Sequence, residues 1–345
     1  METKIAIGNF QKLTSNSLAI IVLFCDKDYQ YIPSLLSNIH NRVCCSYELI
    51  LVDNREKYKE VSIPEIEDFF KTHKGKCISK GRNLCQLAAK KLALDYVTSR
   101  YVWFVDGDDD ICGVISDSLL ASCKSDMVAF NYVYNNESEK RIIYQESFYK
   151  NRTRRNKFKF RTDSYLEHSC VTCWNKWFKR SLLLKIFKNI PDHLKVSCNE
   201  DVYICCAALN NANTIDERRD FIYINNPHRG ISNNNTIDSI DRFKMIIQGW
   251  EDSIKLFKIE FPFNTKLFNY ENKRACDIKY FLGRMYISKK EIWGQELELI
   301  SKIFSKEEIL ETAHNFEYEG HLVTLSRDEE LQTSFKQYVK DFFVS

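Results

Sequence analysis

The sequence predicts an α/β protein: a Rossmann-like, mixed but mainly parallel sheet flanked by helices, with a C-terminal helical extension. Three observations predict it. Leu18-Ala-Ile-Ile-Val-Leu-Phe-Cys25 is a continuous apolar run rich in β-branched residues, the pattern of a strand covered on both faces. Apolar residues then recur at Ile32, Leu35, Leu36 and Ile39, a helical spacing, before a second apolar run at Tyr47–Val52. Strand, helix, strand is the unit of a parallel sheet, whose ligands sit at the carboxyl ends of the strands. Finally, from about Ile237 onward the pattern is helical, as at Phe243, Ile246, Ile247 and Trp250, and later at Leu331, Phe335, Tyr338, Val339 and Phe342. Two regions are therefore expected, residues 1–236 and residues 237–345.

The remaining elements follow in order. Residues before Leu18 read as a polar lead-in. Pro33 is acceptable in the first turn of a helix. Lys57 to Lys76 is charged and weakly patterned and reads as a helix, with a short strand near Cys77-Ile78. Gly81-Arg82-Asn83 opens a helix whose one face carries Leu84, Leu87, Ala88, Lys91, Leu92 and Tyr96. That helix feeds Tyr101-Val-Trp-Phe-Val, a strand ending in Asp106-Gly-Asp108-Asp109-Asp110, where Gly107 loosens the backbone. Asp126 to Tyr134 reads as a strand with Arg141 to Phe148 as an antiparallel partner, and Phe221 to Ile224 as a short strand.

Bulk properties narrow the partners. A net charge of +3 over 345 residues excludes a chain that binds nucleic acid by its overall charge. Arg152 to Arg161 is the strongly basic stretch, either a solvated face or a clamp for a phosphate, an anionic acceptor or a membrane surface. The 13 cysteines are scattered through apolar surroundings, and the Met1 end lacks a basic region followed by a long apolar core. Free thiols in a reducing cytoplasm are expected. No run approaches the roughly 20 apolar residues of a spanning helix, although peripheral contact with the inner face of a membrane remains open. Cys170-Val-Thr-Cys173 has no second pair to complete a zinc site and reads as coincidence.

The acids carry the chemistry. Four carboxylates in five positions repel one another unless they are solvated or share a cation, and a divalent metal bridging to phosphate is the economical explanation. The alternative is a polar loop after a buried strand. Glu200-Asp201 stands at the start of an apolar helix, where capping alone could account for it. Asn225 to Asn235, with His228 and Arg229, is a polar loop able to contact phosphate or sugar. Trp174 and Trp177 are either sugar-facing aromatics or a hydrophobic plug.

Taken in order, these stretches resemble the family 2 glycosyltransferases of the nucleotide-sugar-binding GT-A fold. The resemblance spans roughly Leu18 to Asn235. It rests on the first strand, Val52-Asp53-Asn54, Gly81-Arg82-Asn83, Phe104-Val-Asp-Gly-Asp-Asp109, Trp174 to Leu183, Asn199-Glu200-Asp201, and His228-Arg229 with Ser232. It implies an inverting, metal-dependent transferase, of hexosyltransferase type, that moves a sugar from a nucleotide-sugar donor, a UDP-sugar, to a hydroxyl of a saccharide or lipid-linked acceptor in polysaccharide or glycolipid synthesis. By this resemblance Asp53, Arg82 and Asp106 contact the nucleotide, Asp106 and Asp108 hold Mg²⁺ or Mn²⁺, and Asp201 is the catalytic base. Asp109, Trp174, Glu200, His228 and Arg229 are candidate acceptor or donor contacts, with Asp110 simply solvated. The family commonly has Pro-x-Tyr-Asn at the end of the first strand, where this chain has Leu23-Phe-Cys-Asp26. Two other readings compete: a non-catalytic binding or scaffold protein of the same fold, and a metal-dependent nucleotidyltransferase. The second expects a Gly-rich loop after the first strand, and Phe24-Cys-Asp-Lys-Asp-Tyr29 has no glycine.

Overall fold

The computed structural model describes residues 4–7, 17–55, 64–136, 139–143, 172–194, 196, 200–226, 229, 239–263, 270–315 and 329–344. Its strands are β1 Lys4–Ile7, β2 Leu18–Phe24, β3 Val43–Cys44, β4 Tyr47–Asp53, β5 Gly75–Ser79, β6 Tyr101–Asp106, β7 Asp110–Ile111, β8 Ile115–Ser116, β9 Met127–Asn136, β10 Glu139–Ile143, β11 Lys176–Lys179 and β12 Ile215–Asn225. The helices are α1 Ile32–Arg42, α2 Pro64–Thr72, α3 Gln86–Leu94, α4 Asp117–Ser122, α5 Arg180–Lys188, α6 Glu200–Asn211, α7 Ile240–Glu260, α8 Tyr270–Tyr286, α9 Trp293–Ser301, α10 Lys306–His314 and α11 Glu329–Phe342.

The centre of the main sheet is parallel, with β5, β4, β2 and β6 side by side. Beyond β6 the sheet turns mixed. β11 runs antiparallel between β6 and β9, β12 runs parallel to β9, and β7 and β10 pair antiparallel with β12 and β9. β1 adds an antiparallel strand outside β5, in what reads from sequence as a polar lead-in. β11 is likewise invisible to local pattern. It is four residues long and exists because Trp177 pairs with Trp103 on one side and Val128 on the other. β12 extends well before Phe221, since Ile215 to Glu217 register with Met127 to Ala129 although they carry little apolar signal.

β2 shows why its run has no polar alternation. Ala19, Ile21 and Leu23 enter one core layer, with side chains of α3, α5 and α6. Leu18, Ile20, Val22 and Phe24 enter the opposite layer, with α1 and α4. Successive side chains of a strand point to opposite faces, so a strand covered on both sides is apolar throughout. A third cluster, including Trp250, Phe281, Trp293 and Phe335, unites α7 to α11. α7 serves two cores, placing Phe243 and Trp250 in the third cluster and Leu256 and Phe257 in the first.

The third helix departs from expectation. It starts at Gln86 rather than Gly81, because Gly81 and Cys85 have φ of 66° and 63°, outside the helical region. Its buried face is Leu87, Ala89, Lys90, Ala93 and Leu94, so Lys90 rather than Lys91 points inward. The reason is a pair of acids, Glu200 and Asp201, that meets it.

Candidate active site

Parallel pairing brings the carboxyl ends of β4, β2 and β6 to one edge. Phe24 registers with Asp53, and Leu23 with Asp106, so the two acids flank the end of β2. Two strand spacings put their backbones about 10 Å apart. The amide of Asn54 donates to the Phe24 carbonyl at 2.9 Å and that of Gly107 to the Leu23 carbonyl at 2.9 Å, fixing both exits. A Cβ at Gly107 would lie 2.8 Å from the Leu23 carbonyl oxygen and 2.8 Å from Phe24 Cβ. Close approach to β2, rather than backbone looseness, is what requires glycine there.

On the β4 side, Asp53 is buried and bonded to Arg55, whose Nε donates to Oδ1 at 2.8 Å and Nη2 to Oδ2 at 2.7 Å. The Arg55 guanidinium lies 5.2 Å from the Tyr29 ring centroid and 5.9 Å from that of Phe24. Asn54 ties this strand end to the loop carrying Arg82: its Nδ2 donates to Asn83 Oδ1 at 3.2 Å and its Oδ1 accepts from the Leu84 amide at 2.7 Å. Arg82 itself is exposed.

The acids after β6 divide into two kinds. Asp109 is buried and accepts from Tyr223 O–H at 2.7 Å, the Asn226 amide at 2.6 Å and Asn225 Nδ2 at 3.2 Å. Asp110 accepts from Asn38, Asn226 and Arg229 at 3.0–3.1 Å, so it is bonded rather than simply solvated. Arg229 also stacks its guanidinium 4.9 Å from the Tyr31 ring centroid. Neither Asp106 nor Asp108, by contrast, forms an ion pair among the described residues. Burial pushes the Asp106 carboxyl well above the ordinary range, and burial together with Asp109 and Asp28 pushes Asp108 up to about 8. Burial, with Asp106, likewise brings Asp109 to about 7. Two oxygen-donor acids held in this way fit a hard divalent cation, which would remove the penalty of ionising them. No three acidic, histidine or cysteine side chains among the described residues form a metal cage by themselves. A cation here would therefore complete its shell with water and phosphate oxygens.

The first turn of α6 supplies the other acids. Lys90 Nζ, 2% exposed, donates to Asp201 Oδ1 at 2.5 Å and to Glu200 Oε1 at 3.1 Å. The second oxygen of Asp201 accepts from the Cys173 amide at 3.2 Å. Burial works against the charge on Asp201, but Lys90 outweighs it and holds the carboxyl below the ordinary range. Glu200, more deeply buried, is pushed up to about 7 despite the same lysine. The arrangement keeps one ionised carboxylate, 24% exposed, close enough to Asp106 for their charges to interact.

Sequence reasoning missed Lys90, Tyr223 and Arg55. Only Arg55, two residues after Asp53, had a local signal. Trp174 is 8% exposed, stacked on Tyr223 with centroids 4.6 Å apart, and forms the wall beneath the acid loop. Trp177 is fully buried among Tyr101, Trp103 and Phe130, which leaves it no face for a sugar. Cys173 Sγ lies 3.8 Å from Cys205 Sγ, both as free thiols. His228, Asn199, Ser232, Cys170 and the basic stretch 152–161 lie outside the described residues.

Residues 17–187 match the family model described as glycosyl transferase family 2. No curated protein matches the chain in sequence. Among solved structures, S. aureus TarS is similar with a TM-score of 0.52 at 16% identity, over 95% of this chain and 53% of that one. The chain thus spans about half the length of that protein. TarS 1–349 in complex with UDP-GlcNAc gives a TM-score of 0.54 at 18% identity, over 94% of this chain and 88% of that one. The corresponding complex with UDP gives 0.50 at 15% identity, over 95% and 91%. At these identities the likeness concerns the fold, a sheet of GT-A type flanked by helices. Through the domain matched at residues 17–187, the chain belongs to glycosyl transferase family 2.

Proposed function

We propose that the chain is an inverting, metal-dependent glycosyltransferase that moves a sugar from a UDP-sugar to a hydroxyl of a saccharide or lipid-linked acceptor, in polysaccharide or glycolipid synthesis. One observation carries the reading: an ionised carboxylate, Asp201, stands near Asp106 and Asp108, acids at a sheet edge that form no ion pair among the described residues. Membership of the family supports sugar transfer, and the UDP and UDP-GlcNAc complexes of TarS make UDP the first nucleotide to test.

In this mechanism Asp53, held by Arg55, faces the base, and Arg82 approaches the nucleotide from its exposed loop. Asp106 and Asp108 would hold Mg²⁺ or Mn²⁺, which when bound acts as a Lewis acid on a departing diphosphate. Asp201 takes the proton of the attacking hydroxyl, an effect worth about 10²- to 10⁴-fold. Attack from the side opposite the leaving group inverts the anomeric centre in one displacement. Asp109 and Asp110 brace the acid loop through Tyr223, Asn226 and Arg229. No described helix is long and apolar enough to cross a membrane.

The test is incubation of the purified protein with a panel of nucleotide sugars and candidate acceptors, with Mn²⁺, Mg²⁺ or a chelator, read by mass spectrometry. Release of a nucleoside diphosphate with one or a few donors, lost with chelator, is the expected result. Release of pyrophosphate would make the protein a nucleotidyltransferase, and donor binding without turnover would make it a binding protein.

A further inference from the structure

Lys90 is unlike the other lysines near the sheet edge. It lies on the buried face of α3, its Nζ sits 5.6 Å from the Phe104 ring centroid, and Phe104 is two residues before Asp106 on β6. The ammonium faces Glu200 and Asp201, which are 110 and 111 residues away in sequence. An ammonium buried without partners would shed its proton. Here burial opposes the charge, while Asp201 and Glu200 more than compensate, and Lys90 stays protonated.

We propose that Lys90 is the positioning residue of the acceptor side: its buried ammonium selects Asp201 over the adjoining Glu200 as the ionised carboxylate and, with the Cys173 amide, fixes the direction in which that carboxylate receives a proton. This rests on the reading of Asp201 as the base. The geometry carries it. Two donors from two other parts of the chain, α3 and the segment before β11, each take one oxygen of Asp201. Each oxygen keeps a second lone pair, and the side chain keeps 24% of its exposure for an incoming hydroxyl. Glu200 has 7% side-chain exposure and a longer contact to the same ammonium. Among the described residues the charged and titratable groups around Asp201 are Lys90 from α3, Glu200 from its own helix, Cys173 before β11 and Asp106 at the end of β6. Lys90 is the one cation of this set, so removing its charge leaves acids and a thiol in it.

The experiment measures the protonation of Asp201 directly, by the ¹³Cγ shift of labelled aspartate, with Asp201→Asn used to assign the signal. In the unsubstituted protein the signal titrates below the ordinary carboxylate range. Lys90→Met should raise its midpoint by about 1–3 pH units, and the acidic limb of the transfer rate should move with it while donor KM holds. A folded Lys90→Met protein with an unmoved midpoint would overturn the inference. If Lys90→Met does not fold, Lys90→Arg decides: it keeps the charge, so the midpoint should stay low, and a midpoint raised to the range predicted for the methionine variant overturns the role. Lys90→Met should also cost no further turnover once Asp201 is Asn, because the lysine acts through that carboxylate. Normal transfer by Asp201→Asn would instead defeat the base assignment, an outcome distinct from failure of the Lys90 role.

Discussion

Two groups of carboxylates share the edge of the sheet under opposite electrostatic conditions. Asp106 and Asp108, after β6, have no ion-pair partner among the described residues, and burial drives both toward the neutral form. Glu200 and Asp201, at the start of α6, have Lys90 between them, and one of the two is held ionised. On the proposed reading this difference suits two roles. The acids that would bind a cation from solution have no ion-pair partner among the described residues, whereas the carboxylate that would take a proton has its own ammonium. Two adjoining carboxylates, one buried and one partly exposed, are driven to different charge states by their surroundings, which is how acid and base functions separate within one site.

The largest expected effect breaks the α6 side. Asp201→Asn should lower transfer by about 10²- to 10⁴-fold while donor binding is retained, as read by steady-state turnover and donor titration. Near-normal transfer would move the base elsewhere.

The next effect sharpens the contrast through pH. A carboxyl whose value rises on folding contributes stability that is full below its unfolded value of about 4 and is lost as pH climbs toward the folded value. Asp106, Asp108 and Glu200 behave so, with Asp108 at about 8 and Glu200 at about 7. Asp201 behaves oppositely: its contribution is present above the unfolded value and disappears as pH falls through a folded value that lies lower still. Urea unfolding in chelator should therefore show falling stability from about pH 4 to about pH 8, and Asp108→Asn should remove about 1 kcal/mol per pH unit of that slope. An unchanged slope would mean that Asp108 is ionised without a cation.

The smallest effect concerns the brace rather than the charges. Tyr223 donates to Asp109 and accepts from the Asp106 amide at 3.2 Å, coupling the acid loop to β12. Tyr223→Phe should cost about 2 kcal/mol in urea unfolding, the scale of leaving buried hydrogen-bond partners unsatisfied. A loss below about 0.5 kcal/mol would show that the loop is held by its other contacts.

Local pattern determined much of this protein. β2, α1 and β4 follow from apolar runs and helical spacing, the order of acid-bearing stretches points to the family, and Asp53, Asp106 and Asp108 are legible because each ends or follows a strand. These signals are short-range, and strand and helix periods express them within a few residues. Tertiary structure decided the rest. It chose Lys90 over Lys91 for the interior, inserted β11 between β6 and β9, pressed Gly107 against β2, and set Tyr223 under Asp109. Each depends on partners tens to more than a hundred residues away, as with Lys90 and Asp201 at a separation of 111. Neighbouring lysines look alike in sequence because a side chain's charge is local, whereas the partner that makes its burial tolerable is supplied only when the chain closes on itself.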